Sequence, residues 1–140
     1  MSEKTLIILK PDCMKKNLAG TVLARFESAG LRIVACKMIR MTDALLREHY
    51  SHLVDKPFFG GLCDFMKECP VIVGVLQGEN AIARVRELLG PTNSALAPAG
   101  TIRGDFGDKA NITCNICHAS DGAEAAAAEV ARFFCENEIF

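Results

Sequence analysis

What most limits the fold of this chain is the regular alternation of strand-like and helix-like segments, most of them closed by a glycine or a proline. Thr5–Lys10 is a β-branched, apolar run stopped by Pro11, which predicts a strand. Leu18–Ala29 puts Val22, Leu23, Phe26 and Ala29 on one helical face, with Gly30 as its stop. Leu31–Met38 alternates roughly apolar with polar, the pattern of a half-exposed strand. Thr42 or Asp43 is placed to cap a helix running to about Leu53. Phe58–Cys69 predicts another helix, closed by Pro70; Val71–Leu76 is an unbroken apolar strand; Glu79–Leu89 is a helix ended by Gly90-Pro91. Ile112–His118 predicts the last strand and Asp121–Phe134 the last helix, with Ala123, Ala126, Ala127, Val130, Phe133 and Phe134 as its buried stripe. Asp121 and Glu124 have the spacing of a capping box.

Four strands with paired crossovers predict an α+β sandwich of the ferredoxin-like, split βαβ type: a four-stranded antiparallel sheet with helices packed on it. Periodicity does not give the order in which the strands pair. The chain has 140 residues, half of them apolar, which suits one domain over residues 1–140 with one sizeable core. Gly90–Thr113 is rich in Gly, Pro, Asn and Asp and lacks periodicity. A loop that long in a compact domain is expected to be functional or disordered.

A formal net charge of -1, without a basic stripe or an acidic tail, points away from nucleic acid as a required partner. The longest apolar runs, Thr5–Leu9 and Val71–Leu76, fall far short of the roughly 20 residues of a membrane span. Met1-Ser2-Glu3-Lys4 leads directly into strand-like sequence without a signal pattern. A cytoplasmic protein is expected, and its seven cysteines read as reduced thiols, mostly small buried apolar residues.

The densest chemistry lies in Asn115-Ile116-Cys117-His118-Ala119-Ser120-Asp121. A histidine ending a strand can be a satisfied structural residue. Cys114-Asn115-Ile116-Cys117-His118 also spells the C-x-x-C-H haem-attachment pattern, and the two cysteines with His118 could form a redox pair or a zinc site. An extended strand would send Cys114 and Cys117 to opposite faces. The third reading is a nucleophilic imidazole, which can take a phosphoryl group near neutral pH if its other ring nitrogen is held by an acceptor. Ser120 and Glu129 are candidate partners, although Glu129 lies about 12 Å along a helix from Asp121, so the chain must pack back.

Neither G-x-x-x-x-G-K-[ST] nor G-x-G-x-x-G occurs, so phosphate binding would fall to side chains. Asp105-Phe106-Gly107 is a chance match to a protein-kinase motif in a chain too short for that fold. Lys10, Arg86 and Arg103 are otherwise solvated cations, and Tyr50, Phe58 and Leu62 otherwise packing residues. His49 and His52, three apart, read as a solvated helical face.

The segment around His118 resembles the Asn-x-x-His-Gly-Ser-Asp signature of nucleoside diphosphate kinases. Leu9-Lys10-Pro11-Asp12, Glu48-His49-Tyr50, Lys56-Pro57-Phe58-Phe59, Leu89-Gly90-Pro91-Thr92-Asn93 and Gly100-Thr101-Ile102-Arg103-Gly104-Asp105-Phe106 follow further family blocks in order. The resemblance implies transfer of the γ-phosphoryl group from a nucleoside triphosphate, mainly ATP, to a nucleoside diphosphate through a pros-phosphohistidine at His118. It implies Lys10, Arg86, Arg103 and Thr92 on the phosphates, and Tyr50 beside His118. Glu129 with Ser120 would hold the imidazole, Phe58 stack on the base helped by Leu62, and Asn115 contact the sugar. It further implies Mg²⁺ held mainly by nucleotide phosphates rather than by the protein, and a homo-oligomer. A tetramer is expected over a hexamer, since the chain stops soon after Phe133-Phe134. Ala119 stands where the family has glycine, and Ser94 where many members have proline. A nucleotide-binding module without transfer is the alternative from another class.

Overall fold

The computed structural model describes residues 2–140. Four strands, β1 (Ser2–Leu9), β2 (Arg32–Ile39), β3 (Val71–Glu79) and β4 (Cys117–Ala119), form one sheet in the order β2-β3-β1-β4, and every pairing is antiparallel. This is the expected ferredoxin-like sandwich. Among the described residues seven α-helices surround it: α1 (Pro11–Lys15), α2 (Ala19–Ser28), α3 (Asp43–His49), α4 (Phe59–Met66), α5 (Ala81–Leu89), α6 (Ile102–Phe106) and α7 (Ala123–Phe133). None of the described helices is long and apolar enough to cross a membrane.

The run Leu6–Leu9 in β1 explains the layering. Successive side chains of a strand point to opposite faces, and all four are fully buried because both faces are covered. Leu6 and Ile8 join Val71, Val73 and Val75 of β3 with Leu46, Phe59, Met66 and Phe133, from α3, α4 and α7. Ile7 and Leu9 join Val22, Phe26, Val85, Leu89 and Ile102, from α2, α5 and α6. There are therefore two cores, one on each face, where composition suggests one. β2, at the sheet edge, is only partly buried and shifts register between Ile33 and Ala35.

Several element boundaries differ from expectation for local reasons. β1 begins at Ser2 because its ladder with β3 continues to Glu79 regardless of hydropathy. Pro11 and Asp12 open the short helix α1, which periodicity is too brief to reveal. Thr42 is the cap of α3, accepting from Leu45 N, but the helix stops at His49 and a separate 3₁₀ turn spans Ser51–Leu53. Phe58 precedes α4 rather than lying inside it. The last strand is three residues long, not seven. Asn111 and Asp108 side chains accept from Thr113 N and Ala110 N, and these local turns compete with an extended chain before β4. The premise that Cys114 and Cys117 share one strand therefore fails. α7 starts at Ala123, and the expected Asp121 capping box is absent: Gly122 is the extended cap residue and Asp121 pairs with Arg86 instead.

The long 90–113 segment is ordered. Thr101 Oγ1 caps α6 by accepting from Gly104 N at 3.0 Å and donates to Pro98 O at 2.7 Å. Arg25 donates to Asp105 Oδ2 at 2.7 Å and Lys109 reaches Ser94 O and Gly104 O. All seven thiols are free, but only Cys13, Cys63 and Cys117 are buried; Cys36 and Cys135 are exposed, contrary to the expectation of mostly buried cysteines.

Gly104 sits where a side chain cannot. A Cβ there would lie 2.0 Å from Pro98 O and 2.7 Å from Thr101 Oγ1. Gly104→Ala is expected to lower stability by about 1–3 kcal/mol, the usual cost of overpacking. Denaturant unfolding with an unchanged midpoint would contradict this packing.

Candidate active site

His118 occupies the middle of β4 directly opposite Ile8 of β1, so both side chains share the sheet face that α3, α4 and α7 cover. The approach to His118 is backbone that side chains hold in place. Ile116 has φ of 76°, and Cys117 N donates to Asn115 O at 2.9 Å, which closes a tight γ-turn around it. A β-branched residue at positive φ is strained by about 1–3 kcal/mol. Two bonds from one neighbouring segment hold it there: Ile116 N donates to Asp12 Oδ2 at 2.9 Å, and Lys10 N donates to Ile116 O at 2.9 Å. Asp12 is buried, and sequence reasoning assigned it no role. Its signal was only its place at the first turn of a helix too short to recognise. Ala119 lies in β4 and is not among the positive-φ residues, so its methyl group is accommodated where the family has glycine.

The remote Glu129 reaches His118 because α7 packs back against β1. Glu129 Oε1 lies 2.8 Å from His118 Nε2 and accepts from Ser120 Oγ at 2.8 Å. Ser120 is itself fully buried, and its Oγ accepts from Leu6 N at 3.3 Å. Burial pushes the Glu129 carboxyl upward, but the bonds from His118 and Ser120 outweigh it and hold the group below its ordinary range. Glu129 is therefore a carboxylate that can only accept. His118 then donates from Nε2, and in the neutral ring the lone pair falls on Nδ1.

His118 lines a cleft of about 1090 Å³ together with Lys10, Tyr50, Phe58, Leu62, Arg86, Thr92, Arg103, Asn115 and Glu129. Of the residues selected from sequence, only Ser120 is not on its wall, lying behind Glu129 instead. Lys10 is nearly buried, and its Nζ donates to Thr113 O at 2.6 Å and Asn115 Oδ1 at 2.9 Å. Burial, and more weakly Arg103, lowers its ammonium to about 8, against the upward pull of Asp12. Asn115 Nδ2 donates to Thr92 O at 2.9 Å, so one amide ties the Lys10 strand end to the 90–113 segment. Arg103 donates to Asn115 O, Gly90 O and Cys117 O at 3.2, 3.0 and 2.7 Å. A guanidinium has five N–H groups, so Arg103 braces the backbone around His118 and still keeps donors for a ligand. Arg86 is more exposed and meets Asp121 Oδ1 at 2.6 Å, a surface pair of small net worth that an incoming anion can replace.

The apolar wall contains Phe58, 55% exposed, with the partly buried Leu62 and Phe65. Phe58 was expected on a helical face that would ordinarily be core. Because it precedes α4, it stays open to solvent at the cleft. Ile112, expected in a strand, is likewise an exposed apolar residue of the cleft. Tyr50 is held up at about 12 by burial.

His49 corrects the expectation of a solvated face. It is buried, with its ring 4.7 Å from that of His118 and nearly perpendicular, while His52 is exposed. Among the described residues, His49, His118 and Glu129 form the one group of three potential metal ligands, each offering an atom within 4.8 Å of the others. Two imidazoles and a carboxylate are not the hard oxygen set that magnesium requires. The other carboxylates of the cleft are paired, Glu68 with Lys15 and Asp121 with Arg86.

Removing Asp12 tests the brace on Ile116. Asp12→Ala leaves a buried N–H unpaired and is expected to cost about 1–3 kcal/mol. Asp12→Asn keeps an oxygen acceptor and should recover most of that loss in the same unfolding measurement.

Comparison with known proteins agrees with this geometry. The family model described as Nucleoside diphosphate kinase matches residues 3–139. A curated nucleoside diphosphate kinase of Francisella tularensis subsp. mediasiatica is 49% identical over 138 residues, covering 99% of this chain and 97% of the relative. Among solved structures, the Aquifex aeolicus nucleoside diphosphate kinase superposes with a TM-score of 0.93 at 43% identity, covering 100% of both chains. A halophilic nucleoside diphosphate kinase from Halobacterium salinarum in complex with CDP gives 0.95 at 38% identity, covering 100% of this chain and 92% of the other. On a match that runs nearly end to end, the chain belongs to the nucleoside diphosphate kinase family.

Proposed function

We propose that this chain, as one domain over residues 1–140, moves the γ-phosphoryl group of a nucleoside triphosphate, mainly ATP, to a nucleoside diphosphate by a ping-pong route. The observation that carries the proposal is the 2.8 Å contact between His118 Nε2 and Glu129 Oε1, which leaves Nδ1 unprotonated on a residue lining the cleft. In the first half-reaction the Nδ1 lone pair attacks the γ-phosphorus. The bond from phosphorus to the bridging oxygen breaks, and the diphosphate departs with that electron pair. The phosphorylated ring is cationic, and Glu129 offsets its charge through the Nε2–H that it already holds. In the second half-reaction a terminal oxygen of another diphosphate attacks the phosphorus, and Nδ1 recovers its lone pair.

Lys10, Arg86 and Arg103 supply positive charge where the transferring oxygens gather it, and Thr92 adds contacts from the 90–113 segment. Magnesium carried in on the nucleotide's phosphates would add positive charge there, beside that of Lys10, Arg86 and Arg103. Phe58, Leu62 and Ile112 offer apolar contact to a nucleobase, which suits a site indifferent to base identity because each base has a π-face. Tyr50 borders His118, and Asn115 takes the sugar. A homo-oligomer is part of the proposal, as a tetramer. Among the described residues no strand pairs with the outer edge of β2, and β2 carries the exposed Met38, which supports assembly. Seven free thiols are in keeping with a reducing cytoplasm.

Incubation with γ-labelled ATP should leave a label that is acid-labile and alkali-stable. His118→Ala should take up none, and Glu129→Gln should lower turnover about tenfold to a hundredfold by loosening the ring's orientation. An unlabelled wild-type protein would leave only nucleotide binding.

Lys10 sets the alkaline limb. Its folded value of about 8 lies below the ordinary 10.5, so the charge needed for phosphate is lost as pH rises through about 8. A plot of kcat/KM against pH should bend downward there. Between about 8 and 10.5 the unfolded chain holds a proton that the native state lacks, so this group makes stability rise with pH across that window. A flat kcat/KM profile would remove Lys10 from the phosphate site.

A further inference from the structure

His49 is a buried titratable group, packed ring to ring against His118, that the transfer chemistry leaves unused. Arg132 Nη1 lies 2.9 Å from His49 Nδ1. A guanidinium only donates, so Nδ1 must accept. A neutral imidazole with an accepting Nδ1 carries its proton on Nε2, and His49 Nε2 is buried without a hydrogen-bond partner. The ring is enclosed by Tyr50 at 4.7 Å, His118 at 4.7 Å and Phe133 at 5.3 Å, all edge to face. The charged or titratable groups around it are His118 from β4, Glu129 and Arg132 from α7, and His52 beyond its own helix. Burial first, then His118, holds its protonation down to about 3, with Glu129 opposing and Arg132 and His52 assisting. Glu48 Oε1 lies 3.5 Å from Arg132 Nε and steadies the guanidinium from the solvent side.

The consequence for His118 follows from counting acceptors. One ring nitrogen of His49 and one of His118 lie within 4.8 Å of each other and of Glu129. With its proton on Nδ1, His49 would offer a bare Nε2 that competes with Glu129 for the His118 N–H. We propose that Arg132, by fixing His49 as the Nε2–H tautomer, denies His118 a second acceptor and so keeps its N–H on Glu129 and its lone pair on Nδ1. Arg132 and His49 are then positioning residues that act through His118. This role rests on His118 being the phosphoryl carrier. The same protonation disqualifies His49 as a metal ligand, since the nitrogen left over by Arg132 has no lone pair.

The test combines spectroscopy with a double-mutant cycle. Nitrogen NMR of the unphosphorylated full chain should show His49 protonated at Nε2 and bare at Nδ1, and Arg132→Leu should convert it to a mixture of tautomers. Single-turnover phosphorylation of His118 should fall about tenfold in Arg132→Leu, the scale of a misaligned reacting group, while the dissociation constant for ADP stays within about twofold. Arg132→Lys, which keeps a cationic donor, should restore the rate. In a His49→Phe background, which has no nitrogen to compete, Arg132→Leu should change the rate no further. A wild-type His49 protonated at Nδ1 overturns the proposal, and so does an Arg132→Leu effect of equal size in both backgrounds. If wild-type protein takes no phosphoryl group at all, the proposed function fails instead, and the His49 tautomer can still be read from the spectrum alone.

Discussion

The whole architecture hangs on the central strand β1 being buried on both faces. Leu6 and Ile8 belong to one core, Ile7 and Leu9 to the other, so this one strand serves both layers of helices. At about 1.5–3 kcal/mol for each fully buried aliphatic side chain, these four contribute roughly 6–12 kcal/mol before the entropy cost of folding. Pairing follows burial: β1 has β3 on one side and β4 on the other, so it fixes where His118 stands relative to the sheet. Lys10, Pro11 and Asp12 follow it, and two of them, Lys10 and Asp12, hold Ile116.

The site is assembled by polar groups that do two things at once. Arg103 ties three backbone carbonyls around the His118 segment and keeps donors facing the cleft. Lys10 secures Asn115 and Thr113 while remaining a cation within reach of the cleft. Asn115 joins both to Thr92. Such a network is costly to leave half satisfied, because unpaired buried polar groups are penalised in a low dielectric. The strained turn at Ile116 persists only because Asp12 and Lys10 grip its N–H and C=O together. Strain and preorganisation are the same feature here: the turn that costs energy is the one that delivers His118 to Glu129.

Much of this could be read along the chain, and the failures have physical causes. Apolar runs and their stops located all four strands, because hydrophobic period and Gly or Pro punctuation are local properties. The element missed inside Gly90–Thr113, α6, is five residues long and held by a threonine cap and by long-range contacts to Arg25, none of which has a period. The last strand was overextended because Asp108 and Asn111 turn the chain locally while the composition still looks strand-like. Helical spacing alone makes Phe58 a packing residue, but α4 starts one residue later, and that shift leaves Phe58 exposed at the cleft. His49 was placed in solvent because a helical spacing of three says nothing about which face is covered.

By itself, the sequence determined the order of the elements, the apolar run able to serve both sheet faces, and the histidine with its nearby serine and distant glutamate as partners. The resemblance added roles to residues that composition leaves ordinary. Only the tertiary structure decided that Nε2 of His118 meets Glu129, that Asp12 braces a positive-φ isoleucine, and that Arg132 meets His49 across α3 and α7. Those three depend on distances of about 3 Å between residues 11, 104 and 83 positions apart. Hydrogen bonds are selective at that range, and no local pattern in a chain encodes contacts that close only when the layers pack.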